Sequence, residues 1–270
     1  MKVIISHDVD HISAFEHKAD LILPKFIARA ILEMLYGRID ARQFSARLVE
    51  TVCGRWNFIR ELSKFDSDLG IRSTFFFAVK QGIGLAYKPE SARELLHATL
   101  SDGHCVVLHG IARRVPVDLE RERYLFEQIY GVPCSGVRMH YLHYDYRLLL
   151  KLSDIGYSYD STFRGNGSAA KHSNIWTFPI HIMDGDMMLK QSRYQTASKN
   201  EALQASKQRI RALRDIGVDY VSVLFHDRYF SPGHADWRDW YCDLVHWLID
   251  ENFEFCTYEE ALIELKENNG

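Results

Sequence analysis

The sequence lacks the features that would assign it to a membrane, secreted or disulfide-rich class. No apolar run approaches the roughly 20 residues of a membrane span, and the N-terminal MKVIISHDVDH has too few apolar residues for a signal-peptide core. The five cysteines are widely spaced and include no Cys-x-x-Cys pair, so neither a disulfide framework nor a zinc knuckle is indicated. We therefore expect reduced thiols and a cytoplasmic protein.

An excess of charge of one sign is also absent. The 33 basic and 36 acidic side chains give a net charge of −3, which argues against a surface built to bind nucleic acid. The 270 residues contain no internal repeat and no obvious linker, and 47% of them are hydrophobic. That composition is typical of a globular protein, and a single domain over residues 1–270 is the simplest account of it.

Histidine, by contrast, is abundant: the chain has 13. Histidine is the commonest protein ligand for metals and the usual acid or base near neutral pH. Most histidines in proteins do neither, so the positions of these residues along the predicted strands decide which of them can take part in chemistry.

Strand-like and helical segments alternate along the chain. The predicted strands are Val3–Ser6, Ile71–Val79, Cys105–Leu108, Gly136–Met139, Tyr157–Asp160, Thr177–Met183, Tyr220–Phe225 and Phe253–Thr257. The segments between them are long enough for right-handed crossovers, so we expect a parallel sheet in an α/β fold. The longest connection, about residues 14–65, is predicted to be a helical insertion after the first strand. In such folds the active site lies at the carboxyl ends of the strands.

The first predicted strand ends in a dense polar cluster, Ser6-His7-Asp8-Val9-Asp10-His11. Two carboxylates are costly to bury unless a positive charge, such as a divalent metal, compensates them. If the strand continued, Asp8 and Asp10 would point to the same side, so one could bind a metal while the other serves as a base. The alternative is a helix-capping cluster, although one carboxylate is enough for a cap.

Four further predicted strands end in ionisable residues. His109 follows one strand, Arg138 and His140 close the next, Asp160 closes the one after, and His226 follows the strand at residues 220–225. Any one of these positions is weak evidence. Because the strand ends should converge in three dimensions, their coincidence indicates a catalytic or metal site.

The segments SHDVDH, GIRSTFFF, DGHCVVLHG, GVRMHYL, IGYSYDST and VSVLFHD, in this order, resemble the motifs of the polysaccharide deacetylases, carbohydrate esterase family 4 with the NodB-homology domain. The closest resemblance is to a branch associated with bacterial surface-polysaccharide synthesis (O-antigen or capsule). The resemblance implies a distorted (β/α)7-type barrel, here with the helical insertion. It also implies metal-dependent hydrolysis of an N-acetyl group on a sugar.

The sequence departs from the family pattern at the metal site. The family's second motif is His-x-x-x-His, but His109 is followed four residues later by Arg113. The family's Arg-x-Pro motif is Arg138-Met139-His140 here, so we infer that His140 supplies the missing ligand. The set Asp10, His109 and His140 favours Zn²⁺, and Co²⁺, Ni²⁺ and Mn²⁺ are alternatives. The reserve ligands are His7, His11 and His143.

The resemblance also implies a role for each remaining motif residue. Asp8 would take a proton from the attacking water, and Arg138 would hold Asp8 ionised through a bidentate pair. His226 would protonate the leaving amine. Asp160 would orient or tune His226, or it would only cap the turn Asp160-Ser161-Thr162.

Three further residues are candidates for contact with the substrate. A backbone N–H near Tyr141 would stabilise the oxyanion. Asp184, which follows an apolar strand, and Trp176, an aromatic ring able to stack on a sugar, would contact the substrate directly.

Other functions stay open at this point. The chain could be an inactive carbohydrate-binding relative, or a hydrolase of a non-sugar C–N bond on the same fold. The expected partner is an N-acetylated sugar or glycan, and its carrier and the oligomeric state cannot be read from the sequence.

The insertion is basic, which indicates an amphipathic cap, a dimer surface or contact with an anionic membrane face. Its basic residues are Lys18, Lys25, Arg29, Arg38, Arg42 and Arg47.

Overall fold

The computed structural model describes residues 1–17, 21–111, 117–143 and 146–268. Its strands are β1 Lys2–Asp8, β2 Thr74–Phe77, β3 Cys105–Gly110, β4 Gly136–Met139, β5 Tyr159–Asp160, β6 Ala170–His172, β7 Ile175–Thr177, β8 Ile180–Met183, β9 Tyr220–Leu224 and β10 Glu254–Phe255. Its α-helices are α1 Ile22–Leu35, α2 Ala41–Val52, α3 Ile59–Asp68, α4 Pro89–Ser101, α5 Val117–Tyr130, α6 Tyr146–Ile155, α7 Asp184–Leu189, α8 Lys199–Asp215, α9 Ala235–Asp250 and α10 Tyr258–Asn268.

The strands form one curled sheet in the order β6-β7-β5-β4-β3-β2-β1-β9-β8, with β10 paired to β1. The β6–β7 pair is antiparallel, and the other pairs are parallel. The segment that follows β5 contacts β8, where the Ile180 N–H donates to the Phe163 carbonyl at 2.8 Å. This contact joins the two sides of the curled sheet. The predicted α/β class, a distorted barrel with a helical insertion after the first strand, is confirmed.

Residues on the two faces of the sheet pack into separate apolar clusters. In β1, Val3 and Ile5 belong to the larger cluster, which the helices cover, and Ile4 belongs to the smaller one. Successive residues of a strand point to opposite faces, so Ser6 and Asp8 lie on the face of Ile4. The alternation therefore brings the Asp8 carboxylate to the enclosed face of the sheet, at its carboxyl edge.

The predicted insertion consists of α1, α2 and α3, preceded by one short 3-10 turn. Glu33 of α1 is fully buried and accepts from Arg29 at 2.8 Å and from Arg47 of α2. The Gln195 N–H donates to the same carboxylate at 2.8 Å, which fixes the insertion to the rest of the fold. Arg29 and Arg47 thus pair inside the insertion rather than contributing to an external basic surface, and Lys18 lies outside the described residues.

Two local predictions differ from the structure. The predicted strand over residues 177–183 is divided into β7 and β8, with Pro179 between them, because proline has no N–H to donate to a neighbouring strand. The predicted loop at residues 161–174 contains β6, which pairs with β7. Among the described residues, no helix is long and apolar enough to span a bilayer.

Candidate active site

Asp10, His109 and His140 converge at the carboxyl edge of the sheet. Asp10 follows β1, His109 lies in β3, and His140 follows β4. The Asp10 Oδ1 atom is 3.2 Å from His109 Nε2 and 3.2 Å from His140 Nδ1. The two ring nitrogens are 3.1 Å apart. The three atoms form a nearly equilateral triangle, and within the described part of the chain no other group of three His, Cys, Asp or Glu residues is arranged to hold a metal.

The hydrogen bonds of the two rings determine which nitrogens face the triangle as acceptors. His109 Nδ1 is 3.0 Å from the Arg138 carbonyl, and His140 Nε2 is 3.1 Å from the Ile83 carbonyl. A carbonyl only accepts, so these nitrogens carry the protons and the opposite nitrogens present lone pairs. Asp10 Oδ1 is buried with no hydrogen-bond partner among the described residues.

Three lone pairs that point at one another repel unless a cation lies between them. The edges of the triangle are close to the separation of about 3.3 Å between ligand atoms in a tetrahedral zinc site. The Asp10 carboxylate favours positive charge at this position: burial lowers the pKa of His140, but Asp10 outweighs burial and raises it. The donor set therefore fits a divalent metal, with Asp10 as the charged ligand.

The reserve histidines do not join the triangle. His7 is buried, with its two ring nitrogens at 2.9 Å from the Phe225 carbonyl and from Asp66 Oδ2. His11 Nδ1 is 2.8 Å from His17 Nε2. His143 is exposed and lines a neighbouring cleft. The Arg113 position lies outside the described residues, so the predicted replacement of a ligand there stays a prediction.

Asp8 lies beside the triangle, with its Oδ2 3.9 Å from His109 Nε2. Arg138 Nη1 donates to Asp8 Oδ1 at 2.7 Å. Burial raises the pKa of Asp8, but the charge of Arg138 and the neighbouring rings of His109 and His226 outweigh burial and hold the pKa below its usual value. Asp8 is therefore ionised at neutral pH.

The prediction of a bidentate Arg138–Asp8 pair is wrong, because one hydrogen bond joins the two side chains. The other donors of the fully buried guanidinium bond to the Ser161 carbonyl at 2.8 Å and to the Ser6, Ser161 and Tyr258 hydroxyls at 2.9–3.0 Å. Only Nη1 is left for Asp8. The arginine is held in one orientation by these bonds, and it holds one carboxylate oxygen of Asp8 while the other faces the triangle.

The predicted pairing of His226 with Asp160 is wrong. Asp184 holds His226: its Oδ2 lies 2.9 Å from Nδ1 and accepts from the His226 N–H at 2.7 Å. Asp160 instead accepts from the N–H and hydroxyl of Thr162, and burial raises its pKa to about 6. The strand order explains the difference, because β8 is the neighbour of β9 and β5 is not.

The His226–Asp184 pair has a clear electrostatic effect. Burial lowers the pKa of His226, but Asp184 outweighs it and raises the pKa well above its usual value. His226 Nε2 lies 3.8 Å from Asp10 Oδ2, so the protonated ring borders the triangle. Asp184 is 1% exposed, and the prediction that it contacts the substrate is wrong because His226 occupies its carboxylate.

The two aromatic candidates differ in exposure. Trp176 is only 5% exposed and packs in the enclosed apolar cluster, so the prediction that it stacks on a sugar is wrong. Tyr141 is 68% exposed and has a φ of 59°, in the left-handed region that costs a non-glycine residue of order 1–3 kcal/mol. Such backbone strain tends to cluster at functional sites.

Two clefts that share part of their lining give access to these residues. A cavity of about 190 Å³ is lined by Asp8, Asp10, His109, His140 and His226. A second cavity of about 410 Å³ shares the lining residues His140 and Tyr141 with the first, and most of its remaining lining is apolar. The arrangement places an ionised carboxylate and a protonated histidine around a triangle of potential metal ligands at a cleft, and such a set of groups suits hydrolysis of an amide.

Comparison with known proteins adds evidence on the fold. No family model matches the chain, and no curated protein matches it in sequence. A Mycobacterium smegmatis protein assigned to the polysaccharide deacetylases is similar in structure, with a TM-score of 0.67 and 15% identity over 99% of this chain and 90% of that one. A Pseudomonas aeruginosa PAO1 protein with the same assignment has a TM-score of 0.65 and 13% identity over 97% and 88%. Puue allantoinase has a TM-score of 0.66 and 12% identity over 97% and 88%. At these identities the likeness shows a shared fold.

Proposed function

We propose that this chain is a metal-dependent deacetylase of carbohydrate esterase family 4, which removes an N-acetyl group from a sugar of a cell-surface polysaccharide or its precursor. The triangle of Asp10, His109 and His140 carries the proposal. The fold shared with proteins assigned to the polysaccharide deacetylases supports it.

Asp10, His109 and His140 would hold the metal, and a ligand set of one oxygen and two imidazole nitrogens favours Zn²⁺. When bound, the metal polarises the amide carbonyl and lowers the pKa of water at the site. The two imidazoles are already oriented for this by the Arg138 and Ile83 carbonyls.

Asp8 is the proposed general base. Its Oδ1 is occupied by Arg138, so its Oδ2, on the side of the triangle, receives the proton of the attacking water. Arg138 is a positioning residue, which keeps Asp8 ionised and orients it but does not itself reach the cleft.

His226 is the proposed general acid. An amine leaves poorly without a proton, and the His226 ring carries one because Asp184 raises its pKa. With Nδ1 held by Asp184, the proton on Nε2 is directed towards the cleft. A backbone N–H near Tyr141, which lines the cleft, is the proposed donor to the oxyanion.

The direct test combines metal analysis with acetate release. Wild-type protein is expected to contain about one equivalent of a divalent metal and to release acetate from an N-acetylated sugar. His140→Ala removes one of three ligands, so metal affinity should fall by more than the about 10–100-fold typical of losing a residue that only supports a ligand. His143→Ala, which changes a histidine outside the triangle, is the matched control. Full metal content in His140→Ala would overturn the ligand set, and a metal-loaded wild type that releases no acetate would contradict the proposed reaction.

Asp184→Asn should shift the pH dependence of the reaction. Its loss removes the charge that raises the pKa of His226, so the folded pKa of His226 falls. Because the acid must be protonated, the alkaline limb of kcat/KM should move to lower pH, with a larger loss of rate at pH 8 than at pH 6. Asp186→Asn, an exposed carboxylate on the same helix, should leave the profile unchanged. An unchanged alkaline limb in Asp184→Asn would remove His226 from the role of acid.

A second candidate function is hydrolysis of a non-sugar C–N bond. The structural likeness to Puue allantoinase favours it, because that likeness is about as strong as the likeness to the proteins assigned as deacetylases. The test therefore measures hydrolysis of allantoin beside acetate release from N-acetylated sugars. Turnover of allantoin without release of acetate from any sugar would select this function.

A further inference from the structure

A third cavity, of about 190 Å³, lies beside the candidate active site and beneath α1. We call it the basic pocket and define it by Lys25, Phe26, Arg29, Arg228 and Tyr229. The mechanism proposed above uses none of these five residues. Three of them are cationic, and the pocket contains no lining carboxylate among the residues that the structure describes.

Arg228 is the central feature of the basic pocket. Its guanidinium lies 4.0 Å from the ring centroid of Phe26 and 3.8 Å from that of Trp56. The two rings contact the flat guanidinium group, so its N–H donors must be satisfied in the plane. Arg228 is only 9% exposed, yet its Nη2 atom is buried with no hydrogen-bond partner in the described ranges.

A second guanidinium in the pocket has the same deficiency. Arg29 uses its Nε to bond Glu33 at 2.8 Å, but its buried Nη2 has no hydrogen-bond partner among the residues described. A buried donor without an acceptor is costly, and the cost is larger for a charged group. Two guanidinium groups that line one cavity and each keep an unpaired donor make this cavity a candidate site for an oxygen-rich acceptor.

The surroundings of the basic pocket have an excess of positive charge, which favours binding of an anion. Burial, together with the nearby cations Arg29 and Arg47, lowers the pKa of Arg228 to about 10. The neighbouring carboxylates are engaged elsewhere, since Glu33 accepts from Arg29 and Arg47 and Glu50 accepts from the Gly233 N–H at 2.9 Å. A bound anion would offset this excess of positive charge.

The pocket is adjacent to the proposed chemistry. The ring of Tyr229 is 5.9 Å from the ring of His226, measured between centroids. His11, which also lines the pocket, directly follows Asp10 in the chain. A group bound in the pocket would therefore be close to a sugar whose N-acetyl group is at the triangle.

We propose that the basic pocket binds the phosphate or diphosphate group of the substrate's carrier, with the in-plane donors of Arg228 and Arg29 on its oxygens. Phosphate oxygens match the forked geometry of a guanidinium. The substrate class is then an N-acetylated sugar esterified to phosphate, and this assignment of the sugar rests on the proposed deacetylase function. The anion site itself does not depend on that function.

Calorimetric titration of the metal-containing protein with inorganic diphosphate tests the anion site. Arg228→Gln should weaken binding by about ten-fold or more. Lys25→Gln changes an exposed side chain, keeps the fold and should weaken binding by a smaller factor. Arg60→Gln, at an exposed arginine paired with Glu94, should leave binding unchanged. Diphosphate bound only at the metal would be insensitive to both pocket variants, and that result, like no binding by the wild type, would overturn the proposal.

Kinetics with three substrates tests the substrate class and its carrier. The arms are a nucleotide diphosphate sugar, a lipid-linked diphosphate sugar and a phosphate-free oligosaccharide, all N-acetylated. Arg228→Gln should raise KM by about ten-fold for whichever diphosphate sugar has the natural carrier, nucleotide or lipid. KM for the phosphate-free oligosaccharide should stay unchanged. An equal rise in all three arms would overturn the substrate class. Diphosphate binding that depends on Arg228, with no acetate released in any arm, would keep the anion site and reject the deacetylase function.

Discussion

Replacement of Asp8 by Asn is expected to reduce kcat/KM for acetate release by about 10²–10⁴-fold, the usual contribution of a general base. The amide is nearly the same size as the carboxylate, and its oxygen still accepts from Arg138 Nη1, but it cannot take a proton from water. The metal ligands are unchanged, so metal content should stay at the wild-type level. Steady-state kinetics and elemental analysis of the same preparation measure the two quantities.

Asp160→Asn is the matched control for this experiment. Asp160 is also buried at a strand end, but it bonds to Thr162 rather than bordering the triangle. The Asp160→Asn variant should therefore keep the wild-type kcat/KM. Wild-type activity in Asp8→Asn would reject Asp8 as the base, and a large loss in Asp160→Asn would restore the role in orientation that the structure assigns to Asp184.

Replacement of Arg138 by Met is expected to have the largest effect on stability. The substitution leaves Asp8 as a buried charge without its partner, which typically costs about 3–5 kcal/mol in the free energy of unfolding. It also removes the donor to the Ser6 and Tyr258 hydroxyls and to the Ser161 carbonyl. Urea denaturation at pH 7.5 measures the loss.

The pH dependence of this loss identifies its cause. In the wild type the pKa of Asp8 is depressed, so the pair stabilises the fold above the unfolded pKa and loses that contribution as pH falls through the folded pKa. Arg138→Met removes the largest influence that lowers the pKa of Asp8, so this pKa rises and the carboxyl takes a proton more readily as pH falls. The difference in stability between the two proteins should therefore shrink at lower pH.

Arg55→Met serves as the control for stability. Arg55 pairs with Glu61, both side chains are about half exposed, and such surface pairs contribute at most about 1 kcal/mol. A loss in Arg138→Met no larger than in Arg55→Met would mean that the buried pair does not hold the site together. A large loss that did not change with pH would assign the effect to packing over Phe76, which lies 4.0 Å from the guanidinium, rather than to the Asp8 charge.

The sequence alone determined the class of fold and the sites where its polar residues would meet. Alternating apolar segments predicted the parallel strands, because hydrophobic periodicity is a local property of the chain. The carboxyl ends of parallel strands share one edge of a sheet. For that reason the sequence predicts that Asp8, Asp10, His109, His140 and His226 are neighbours, and the structure brings them to one cleft.

Only the tertiary structure decided which residues act on which. Whether Asp160 or Asp184 holds His226 depends on whether β5 or β8 lies beside β9, and strand order is a long-range property that no local pattern encodes. Trp176 packs in the enclosed cluster because the sheet curls around it. Arg228 and Arg29 line one cavity because α1 packs against the turn that follows β9, roughly 200 residues away in the chain. Local patterns predict where a side chain lies along its own strand or helix, whereas its partners are set by packing between segments far apart in sequence.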